Sequence, residues 1–421
     1  MGNFNALDTL REVYTRGLAG RKFTIPFTFE ALEHLAAMRL PKKAFDYVKT
    51  GAGRHQGVKN NRDGFDSYFI RPLMARGMDE IEMSTNILGT YLPRPFLFAP
   101  IGVLGMVHHH GDLELAKASL NNGVPMIVSN QASHSMESVA IALGQRERWF
   151  QLYFSKSYEL VESLICRAEK SGYQAIVLTL DTTILGWRTL DLDNAFLPFL
   201  YGKGLAQYTS DPVFLKLLQE MPQGGLTNRR FNLRMIAGVL EIYRQFPGGL
   251  RANFGSDLPL RAVRKFIDIY SKTDLGWKDI SWLRQKTKLP ILLKGILRPE
   301  DAIKALDCGM DGIIVSNHGG RQIDQVISSV DALSAIKKVV PEEFPLILDS
   351  GVRTGTDVLI SLAMGAKAVL LGRPYVYALG LAGAEGVDAY VQQISAEFEI
   401  VMRLSGMSSI HQIDPAIVSR K

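Results

Sequence analysis

Residues 312–322 run Gly312-Ile313-Ile314-Val315-Ser316-Asn317-His318-Gly319-Gly320-Arg321-Gln322. The four apolar residues are typical of a buried parallel strand, and the polar loop begins where that strand would end. In an α/β barrel the carboxyl ends of the strands carry the chemistry. His318 can accept a proton while Arg321 holds a carboxylate, so the segment predicts a site for a small acid. The alternative is a polar loop that caps the next helix.

Seven further apolar runs share this pattern, with helix-like segments between them. They are Phe96–Ile101, Pro125–Ser129, Trp149–Phe154, Ala175–Leu180, Ile291–Lys294, Pro345–Leu348 and Ala368–Leu371. Glycine tends to close the helical segments, as Gly123 and Gly172 do, which is usual at helix C-termini. Strand and helix alternating eight times predict an α/β fold, a (β/α)8 TIM barrel. An open doubly wound sheet is the rival topology, but no Gly-x-Gly-x-x-Gly follows the first strand.

The spacing of these runs predicts a single domain with two additions to the barrel. Residues 1–94 form an N-terminal cap, expected to be helical from Phe29 to Thr50, and residues 95–181 and 275–410 form the barrel. Residues 182–274 are a long insertion after strand 4, which we interpret as a lid or subunit contact rather than a loose surface loop. Its basic residues are interpreted as solvated surface: Arg229, Arg230, Arg261, Arg264 and Lys265.

Composition narrows the class of protein. The 421 residues are 47% hydrophobic with a net charge of +6, and the charges are dispersed, which argues against nucleic acid as a partner. Only two cysteines occur, Cys166 and Cys308, outside any ligand spacing, so a reducing cytoplasm is expected. No apolar run is long enough to cross a bilayer, and Met1 to Arg21 lacks a secretory pattern.

Charged residues gather at the predicted strand ends. Lys294 suits a Schiff base, a cation beside an electron-rich cofactor atom, or a structural ion pair. Asp181 either neutralises Lys294 or orients His318. The loops after strands 7 and 8 offer backbone N–H groups and two guanidiniums, the usual phosphate site of this fold. A flavin, a nicotinamide cofactor or a phosphorylated substrate fits these loops equally: Ser350, Gly351, Arg353, Gly372 and Arg373.

Together these segments resemble the FMN-dependent 2-hydroxy-acid oxidase and dehydrogenase family, and within it the lactate 2-monooxygenases most. The likeness covers about Leu40 to Ile410. Besides Ser316–Gln322, the stretches that carry it are Phe98–Val103, Thr179–Thr182, Gly186–Arg188, Tyr208–Phe214 and Asp349–Gly351.

The resemblance implies roles for matching positions. His318 is similar to the active-site base, Asp181 to the carboxylate that stabilises its imidazolium, and Lys294 to the lysine beside flavin N1 and O2. The substrate-binding positions are Tyr47, Tyr153, Arg188, His318 and Arg321. The positions implied to bind FMN are Pro100, Ile101, Gly102, Ser129, Gln151, Thr179, Lys294, Ser316, Asp349, Ser350, Gly351, Arg353, Gly372 and Arg373. No metal is implied.

The implied activity is FMN-dependent oxidation of a small L-2-hydroxy acid, L-lactate, by O2 in a homotetramer or homo-octamer. Gly102 is expected under the flavin, where other family members often carry Ala. The added room is expected to alter how oxygen and the bound keto acid meet; if peroxide forms while pyruvate is still bound, the products are acetate, CO2 and water. The alternatives are an oxidase releasing pyruvate and H2O2, a dehydrogenase with another acceptor, a Lys294-dependent aldolase or isomerase, and an inert barrel that only binds ligands.

Three features lie apart from this pattern. Arg54-His55 stands where the family usually has acidic residues, and the segment between Phe214 and Trp277 looks longer than usual. His108-His109-His110 is interpreted as a loop before a helix near Asp112, because three successive side chains cannot all ligate one ion. Trp187 fits either simple packing or a wall of the substrate pocket.

Overall fold

The computed structural model describes residues 5–221 and 233–421. Its centre is a closed barrel of eight parallel strands in the order β10-β11-β4-β5-β6-β7-β8-β9. These strands are β4 (Phe96–Phe98), β5 (Met126–Val128), β6 (Arg148–Leu152), β7 (Ala175–Thr179), β8 (Ile291–Ile296), β9 (Gly312–Val315), β10 (Leu346–Leu348) and β11 (Ala368–Leu371). The predicted TIM barrel is confirmed. Almost every strand residue is buried, as apolar runs covered on both faces require.

The N-terminal part covers one end of this barrel. It comprises α1 (Ala6–Leu18), α2 (Phe29–Arg39), α3 (Lys42–Lys49), α4 (Gln56–Asp66), β1 (Tyr68–Ile70), β2 (Thr85–Ile87) and β3 (Thr90–Leu92). The continuous helix expected from Phe29 to Thr50 is wrong. Leu40 is extended, with ψ 153°, because the ring of Pro41 excludes the helical conformation for the residue before it. The break lets α3 turn across the mouth of the barrel.

Three helices connect the first four barrel strands. They are α5 (Gly111–Asn122), α6 (Met136–Leu143) and α7 (Tyr158–Lys170). Gly123 ends α5 with φ 69°, as the sequence predicted. Asp112 lies in the first turn of α5, so the predicted helix start after the histidine triplet is also confirmed.

The segment between β7 and β8 is helical over most of its described length. It contains α8 (Thr189–Asp193), α9 (Ala206–Thr209), α10 (Pro212–Gln219), α11 (Leu233–Gln245), α12 (Gly249–Asn253), α13 (Leu258–Ile269) and α14 (Trp277–Arg284). Arg167 of α7 anchors it, donating to the Gln207 carbonyl at 2.7 Å and to Asp211 at 3.0 Å. Arg229 and Arg230 lie outside the described residues. Arg261 is buried and donates to the Leu218 carbonyl, so its interpretation as solvated surface is wrong.

The second half of the barrel completes the fold. Its helices are α15 (Pro299–Asp307), α16 (Ser329–Ile336), α17 (Gly355–Ala363) and α18 (Arg373–Ser405), and β12 (Val418–Arg420) pairs antiparallel with β1. Within the described residues, no helix has the length and apolar character needed to cross a membrane. The carboxyl ends of β4–β11 open on one cleft beneath α3 and the loop that precedes α8.

Candidate active site

The strand-end residues meet in a cleft of about 1150 Å³, counted out to the solvent. Most of the predicted positions line it: Tyr47, Pro100, Ile101, Gly102, Tyr153, Arg188, Lys294, His318, Arg321, Asp349, Ser350, Gly351, Arg353, Gly372 and Arg373. The other five are not lining residues, and all of them but Asp181 are buried: Ser129, Gln151, Thr179, Asp181 and Ser316. The fold therefore brings residues that are distant in sequence into one polar site.

His318 and Asp181 form a partly buried pair at this site. Nδ1 of His318 lies 2.7 Å from Oδ1 of Asp181, and the Thr182 hydroxyl donates to the same carboxylate oxygen at 2.9 Å. Asp181 therefore orients His318, one of its two predicted roles. Burial raises the pKa of Asp181, but His318 and Lys294 outweigh it, so the carboxylate stays ionised. Burial, Lys294 and Arg188 lower the pKa of His318 despite Asp181.

A neutral His318 beside an ionised carboxylate has a defined tautomer. The Nδ1–H donates to Asp181, which leaves the lone pair of Nε2 for the cleft that His318 lines. The residue adopts φ 58°, in the left-handed region, so the loop holds the ring in a backbone conformation that most side chains avoid. This arrangement is that of a general base whose conjugate acid is stabilised.

Arg188 and Arg321 lie close to His318 along the cleft. Arg188 is buried, and its Nη2 donates to Oε1 of Gln322 at 2.7 Å. Arg321 donates to the Tyr47 carbonyl at 2.6 Å, and its guanidinium lies 5.0 Å from the centre of the Tyr47 ring. Burial, with Arg188 nearby, lowers the pKa of Arg321 to about 9, so the Arg321 guanidinium remains a cation at neutral pH. Two guanidiniums that line one cleft, with Arg188 buried and Arg321 partly buried, favour an anionic ligand.

Tyr153 supplies a second kind of donor to the cleft. Its backbone N–H donates to Oδ1 of Asn130 at 3.0 Å, which fixes the end of β6. Burial, followed by the charge of Asp181, raises the pKa of Tyr153 well above its ordinary value. The phenol therefore stays protonated and can donate to a ligand. Tyr47, from α3, lines the same cleft.

Lys294 has a carboxylate partner other than Asp181. Its Nζ lies 2.7 Å from Oδ2 of Asp349 and 2.9 Å from the Ser316 hydroxyl, which in turn donates to Asp349. Burial alone would lower the pKa of Lys294, but Asp349 and Asp181 raise it above its ordinary value. A Schiff-base lysine needs a depressed pKa, so this pairing argues against the aldolase hypothesis. A permanently charged ammonium suits the stabilisation of an anion.

Two buried hydrogen-bond donors, from Gln151 on β6 and Thr179 on β7, indicate which ligand this site can hold. Gln151 Oε1 accepts from the Ser129 hydroxyl at 3.1 Å, while its Nε2 and the Thr179 hydroxyl have no protein partner among the described residues. Buried polar atoms are rarely left without partners. The edge of a flavin ring, which carries carbonyl oxygens and ring nitrogens, supplies acceptors and donors of the required kind. The residues present thus fit the ring of FMN.

The loops after β10 and β11 form a second cationic region. Arg353 and Arg373 are both cleft residues, and burial, with Arg373 nearby, lowers the pKa of Arg353 to about 10. Nε of Arg353 is buried without a protein partner among the described residues. Gly351, with φ 96°, brings its backbone close to Asn61, where a Cβ would meet the Asn61 Cβ at 3.0 Å. Gly372 precedes the N-terminus of α18, so this region fits a phosphate group.

Gly102 lies between β4 and the loop after β5. A Cβ built on it would come within 3.0 Å of the Gln131 Cβ and 3.2 Å of the Gln131 carbonyl oxygen. The next residue, Val103, has φ 60° and donates its N–H to that same carbonyl. Gln131 also lines the cleft, so the space beside Gly102 is bounded by Gln131.

Sequence reasoning missed several residues of this site. Gln322 was inside the quoted motif, yet its role emerges only from the fold: its Nε2 donates to the Asp181 and Ile184 carbonyls while its Oε1 accepts from Arg188. Gln131 and Phe199 also line the cleft, and no spacing rule indicated them. Burial raises the pKa of Asp191 to about 6, although Arg321 and Arg188 lower it.

Two other hypotheses can be compared with the structure. Trp187 is 71% exposed and is not among the cleft residues, so neither core packing nor a pocket wall describes its side chain. The rings of His109 and His110 lie 4.5 Å apart, but no group of three or more metal-ligating side chains occurs in residues 5–221 or 233–421.

A family model and curated relatives match nearly the whole chain. The model described as FMN-dependent dehydrogenase matches residues 36–420. The L-lactate oxidase of Lysinibacillus sphaericus (strain C3-41) is 40% identical over 385 residues, covering 91% of this chain and 90% of that protein. The 2-hydroxyacid oxidase 1 of Homo sapiens is 37% identical over 390 residues, covering 92% of this chain and 95% of that protein.

Solved structures agree with these sequence matches. A Pediococcus acidilactici protein described as a lactate oxidase superposes with a TM-score of 0.76 at 32% identity, covering 94% of both chains. A mandelate oxidase in complex with (S)-mandelic acid superposes with a TM-score of 0.74 at 28% identity, covering 94% of this chain and 98% of that one. The barrel fold is thus shared with a protein described as a lactate oxidase and with a mandelate oxidase.

Proposed function

This chain belongs to the FMN-dependent dehydrogenase family, as a flavoenzyme that oxidises 2-hydroxy acids, and on that premise we propose that its substrate is L-lactate and its electron acceptor O2. The observation that carries the proposal is the convergence of the His318–Asp181 pair with Arg188 and Arg321 on one cleft. A small acid with a hydroxyl on its α-carbon satisfies the base and the two cations together.

The substrate is held by charge and by phenol groups. Arg188 and Arg321 bind the carboxylate, and guanidinium forks suit this planar group better than lysine does. Tyr153, kept protonated by burial, donates to the substrate, and Tyr47 contacts it from the cap. With the carboxylate fixed at one end, the α-carbon and its hydroxyl face His318.

His318 then accepts a proton from the substrate at Nε2. Its depressed pKa keeps the imidazole neutral before the reaction, which a base requires. Once the proton has arrived, Asp181 stabilises the imidazolium across 2.7 Å. The pair therefore accepts a proton without requiring a high resting pKa.

FMN, when bound, takes up the two electrons that leave the substrate's α-carbon. We assign its ring to Pro100, Ile101, Gly102, Ser129, Gln151, Thr179, Lys294 and Ser316, and its ribityl phosphate to Asp349, Ser350, Gly351, Arg353, Gly372 and Arg373. Lys294 opposes the negative charge that reduction brings, and Asp349 and Ser316 keep that ammonium in place. We infer a cytoplasmic homotetramer or homo-octamer as the setting for this reaction.

Two reactions are possible after L-lactate is oxidised to pyruvate, and they differ in whether pyruvate leaves the cleft before hydrogen peroxide forms. If hydrogen peroxide forms while pyruvate is still in the cleft, oxidative decarboxylation gives acetate, CO2 and water. If pyruvate leaves first, the enzyme is an oxidase that releases pyruvate and H2O2, the version that the L-lactate oxidase relative favours. We favour retention because Gly102 adds no methyl group to the cleft wall, where a Cβ would come within 3.0 Å of the Gln131 Cβ and would press on that side chain.

Product analysis in air tests the proposal. Purified holoenzyme with L-lactate is expected to consume one O2 per lactate and yield acetate and CO2, with far less turnover of glycolate and mandelate. Release of one pyruvate and one H2O2 per lactate would show that pyruvate leaves before peroxide reacts with it. The enzyme would then be an oxidase. Failure of anaerobic L-lactate to bleach the flavin would reject lactate as the substrate. Gly102→Ala is expected to shift products toward pyruvate and H2O2.

A further inference from the structure

The segment Gly51–His55 runs beside the substrate-binding arginine, and we call it the clasp. Ala52 forms an isolated antiparallel bridge with Arg188. The Gly53 N–H donates to the Trp187 carbonyl at 2.9 Å, on the N-terminal side of that arginine. The Ala52 N–H donates to the Gly320 carbonyl at 2.9 Å. The clasp therefore ties the cap to the two loops that carry Arg188 and Arg321.

A side-chain relay closes the clasp on the C-terminal side of Arg188. Nε2 of His55 lies 2.9 Å from the hydroxyl of Thr189, the residue after Arg188, and that hydroxyl donates to the Gly53 carbonyl at 3.1 Å. A hydroxyl has one hydrogen to give. Since the Thr189 hydrogen goes to Gly53, the hydroxyl accepts from an Nε2–H of His55. Arg188 is thus flanked by clasp hydrogen bonds at both neighbouring residues.

The clasp is itself held rigidly. Asp324 accepts from the Arg54 N–H at 2.9 Å and from the Gln56 N–H at 2.8 Å. His55 sits between these two amides with φ 64°, and burial and Arg373 lower its pKa, so the imidazole is neutral at neutral pH. A Cβ at Gly53 would lie 2.5 Å from the Asp324 carboxylate, so glycine permits this close approach. His55 is therefore held against Thr189 rather than free to rotate into solvent.

We propose that His55 is a positioning residue for substrate binding, which fixes Arg188 through the Thr189 hydroxyl. This inference rests on the proposed function, in which Arg188 holds the substrate carboxylate. The guanidinium itself has two other contacts, from Nη2 to Gln322 and from Nε to the Arg321 carbonyl at 3.3 Å. Those contacts aim the end of the side chain, while the clasp sets the backbone from which it projects.

The test is substrate and product-analogue binding by holoenzyme variants. His55→Ala is expected to raise KM for L-lactate and the Kd of pyruvate, measured by calorimetry, about fivefold, the factor given by losing one neutral hydrogen bond of about 1 kcal/mol. The kcat value is expected to change less than twofold, because His318 and Asp181 are untouched. Thr189→Val should reproduce this shift, and the double variant should add nothing to either single variant.

Conservative variants separate positioning from simple stability. His55→Gln and Thr189→Ser keep a donor and a hydroxyl, and both are expected to restore KM and Kd to within twofold of the wild type. His411→Ala, an exposed histidine outside the cleft, is the matched control. Unchanged KM and Kd in His55→Ala, or a lowered melting temperature with kcat and KM falling together and no rescue by glutamine, would overturn the inference. Wild-type enzyme that neither oxidises lactate nor binds pyruvate would instead reject the proposed function.

Discussion

Replacing Asp181 with asparagine tests the base at the centre of the proposed reaction. The amide oxygen can still accept from Nδ1 of His318 at 2.7 Å, so the ring orientation is kept while the charge is removed. At about 4 Å between charge centres and an effective dielectric of about 20, an imidazolium and a carboxylate attract by about 4 kcal/mol. Both side chains are largely buried, at 19% and 12% exposure, so solvent screens this attraction only in part. We expect kcat/KM for L-lactate to fall on the order of 10²- to 10³-fold.

The pH dependence of kcat/KM provides a second, independent test of the Asp181→Asn variant. His318 must be neutral to accept a proton, so activity falls at acidic pH as the ring becomes protonated. Burial with Lys294 and Arg188 already holds the pKa of His318 below 6.5, and Asp181 opposes that depression. Asp181→Asn should therefore move the acidic limb of kcat/KM to lower pH while the plateau drops. Steady-state kinetics from pH 4.5 to 9, with Asp268→Asn as an exposed control, measures both. An unchanged plateau or a limb moved to higher pH would refute the assignment.

Three further substitutions test separate parts of the structure. Lys294→Met is expected to lower the reduction potential of the bound flavin and to cut turnover on the order of 10²- to 10³-fold, because a buried cation is lost; a potential equal to that of the wild type contradicts this. Arg353→Met should weaken FMN binding by about 10- to 100-fold in equilibrium dialysis, the range for a charged hydrogen bond, whereas an unchanged Kd would place the phosphate elsewhere. Arg167→Met should reduce the free energy of unfolding by about 3–5 kcal/mol in a urea titration, because it removes the cation that pairs with the fully buried carboxylate of Asp211. Arg11→Met, at an exposed ion pair, should reduce it by less than about 1 kcal/mol.

The barrel could be predicted because its strands have a simple physical signature. A parallel strand covered on both faces is a short apolar run, and the predicted bounds Gly312–Val315 and Ala368–Leu371 match β9 and β11. The N-terminal cap was harder, since helix propensity extends across Leu40 and only the ring of Pro41 breaks it. The hydrophobic pattern therefore identifies strands that are buried along their whole length. It does not locate a helix end that a single proline decides.

The partner of Lys294 shows where sequence reasoning stops. Only Asp181 was a predicted carboxylate partner for Lys294, although Asp349 also follows a barrel strand. In a closed barrel, side chains in one layer come from alternate strands. Lys294 on β8 and Asp349 after β10 are alternate in the observed strand order, and they meet at 2.7 Å, whereas Asp181 reaches His318. Strand order and tilt, which no single strand encodes, therefore decide which charges pair.

The insertion after β7 was located from its length but not from its contacts. Its length favoured a lid or subunit contact, yet nothing in the sequence placed Phe199 in the cleft or Tyr208 in a buried cluster with Phe214 and Phe266. Such contacts depend on tertiary packing between short helices, each too brief to be stable alone. The clasp illustrates the same limit, because Arg54-His55 appeared only as a departure from the family pattern.

The excess positive charge around the cleft matches the two anions of the proposed function, the 2-hydroxy acid and the phosphate of FMN. Among the described residues that line it, the cations are Arg188, Lys294, Arg321, Arg353 and Arg373. The partly buried Asp181 and the buried Asp349 neutralise two of these charges, which leaves an excess of about three. A 2-hydroxy acid carries one negative charge and a phosphate monoester nearly two at neutral pH. The depressed pKa values of Arg321, about 9, and Arg353, about 10, reflect guanidiniums buried without a sufficient protein anion. Because burying an unpaired charge is costly, FMN and a bound 2-keto acid should each stabilise this fold.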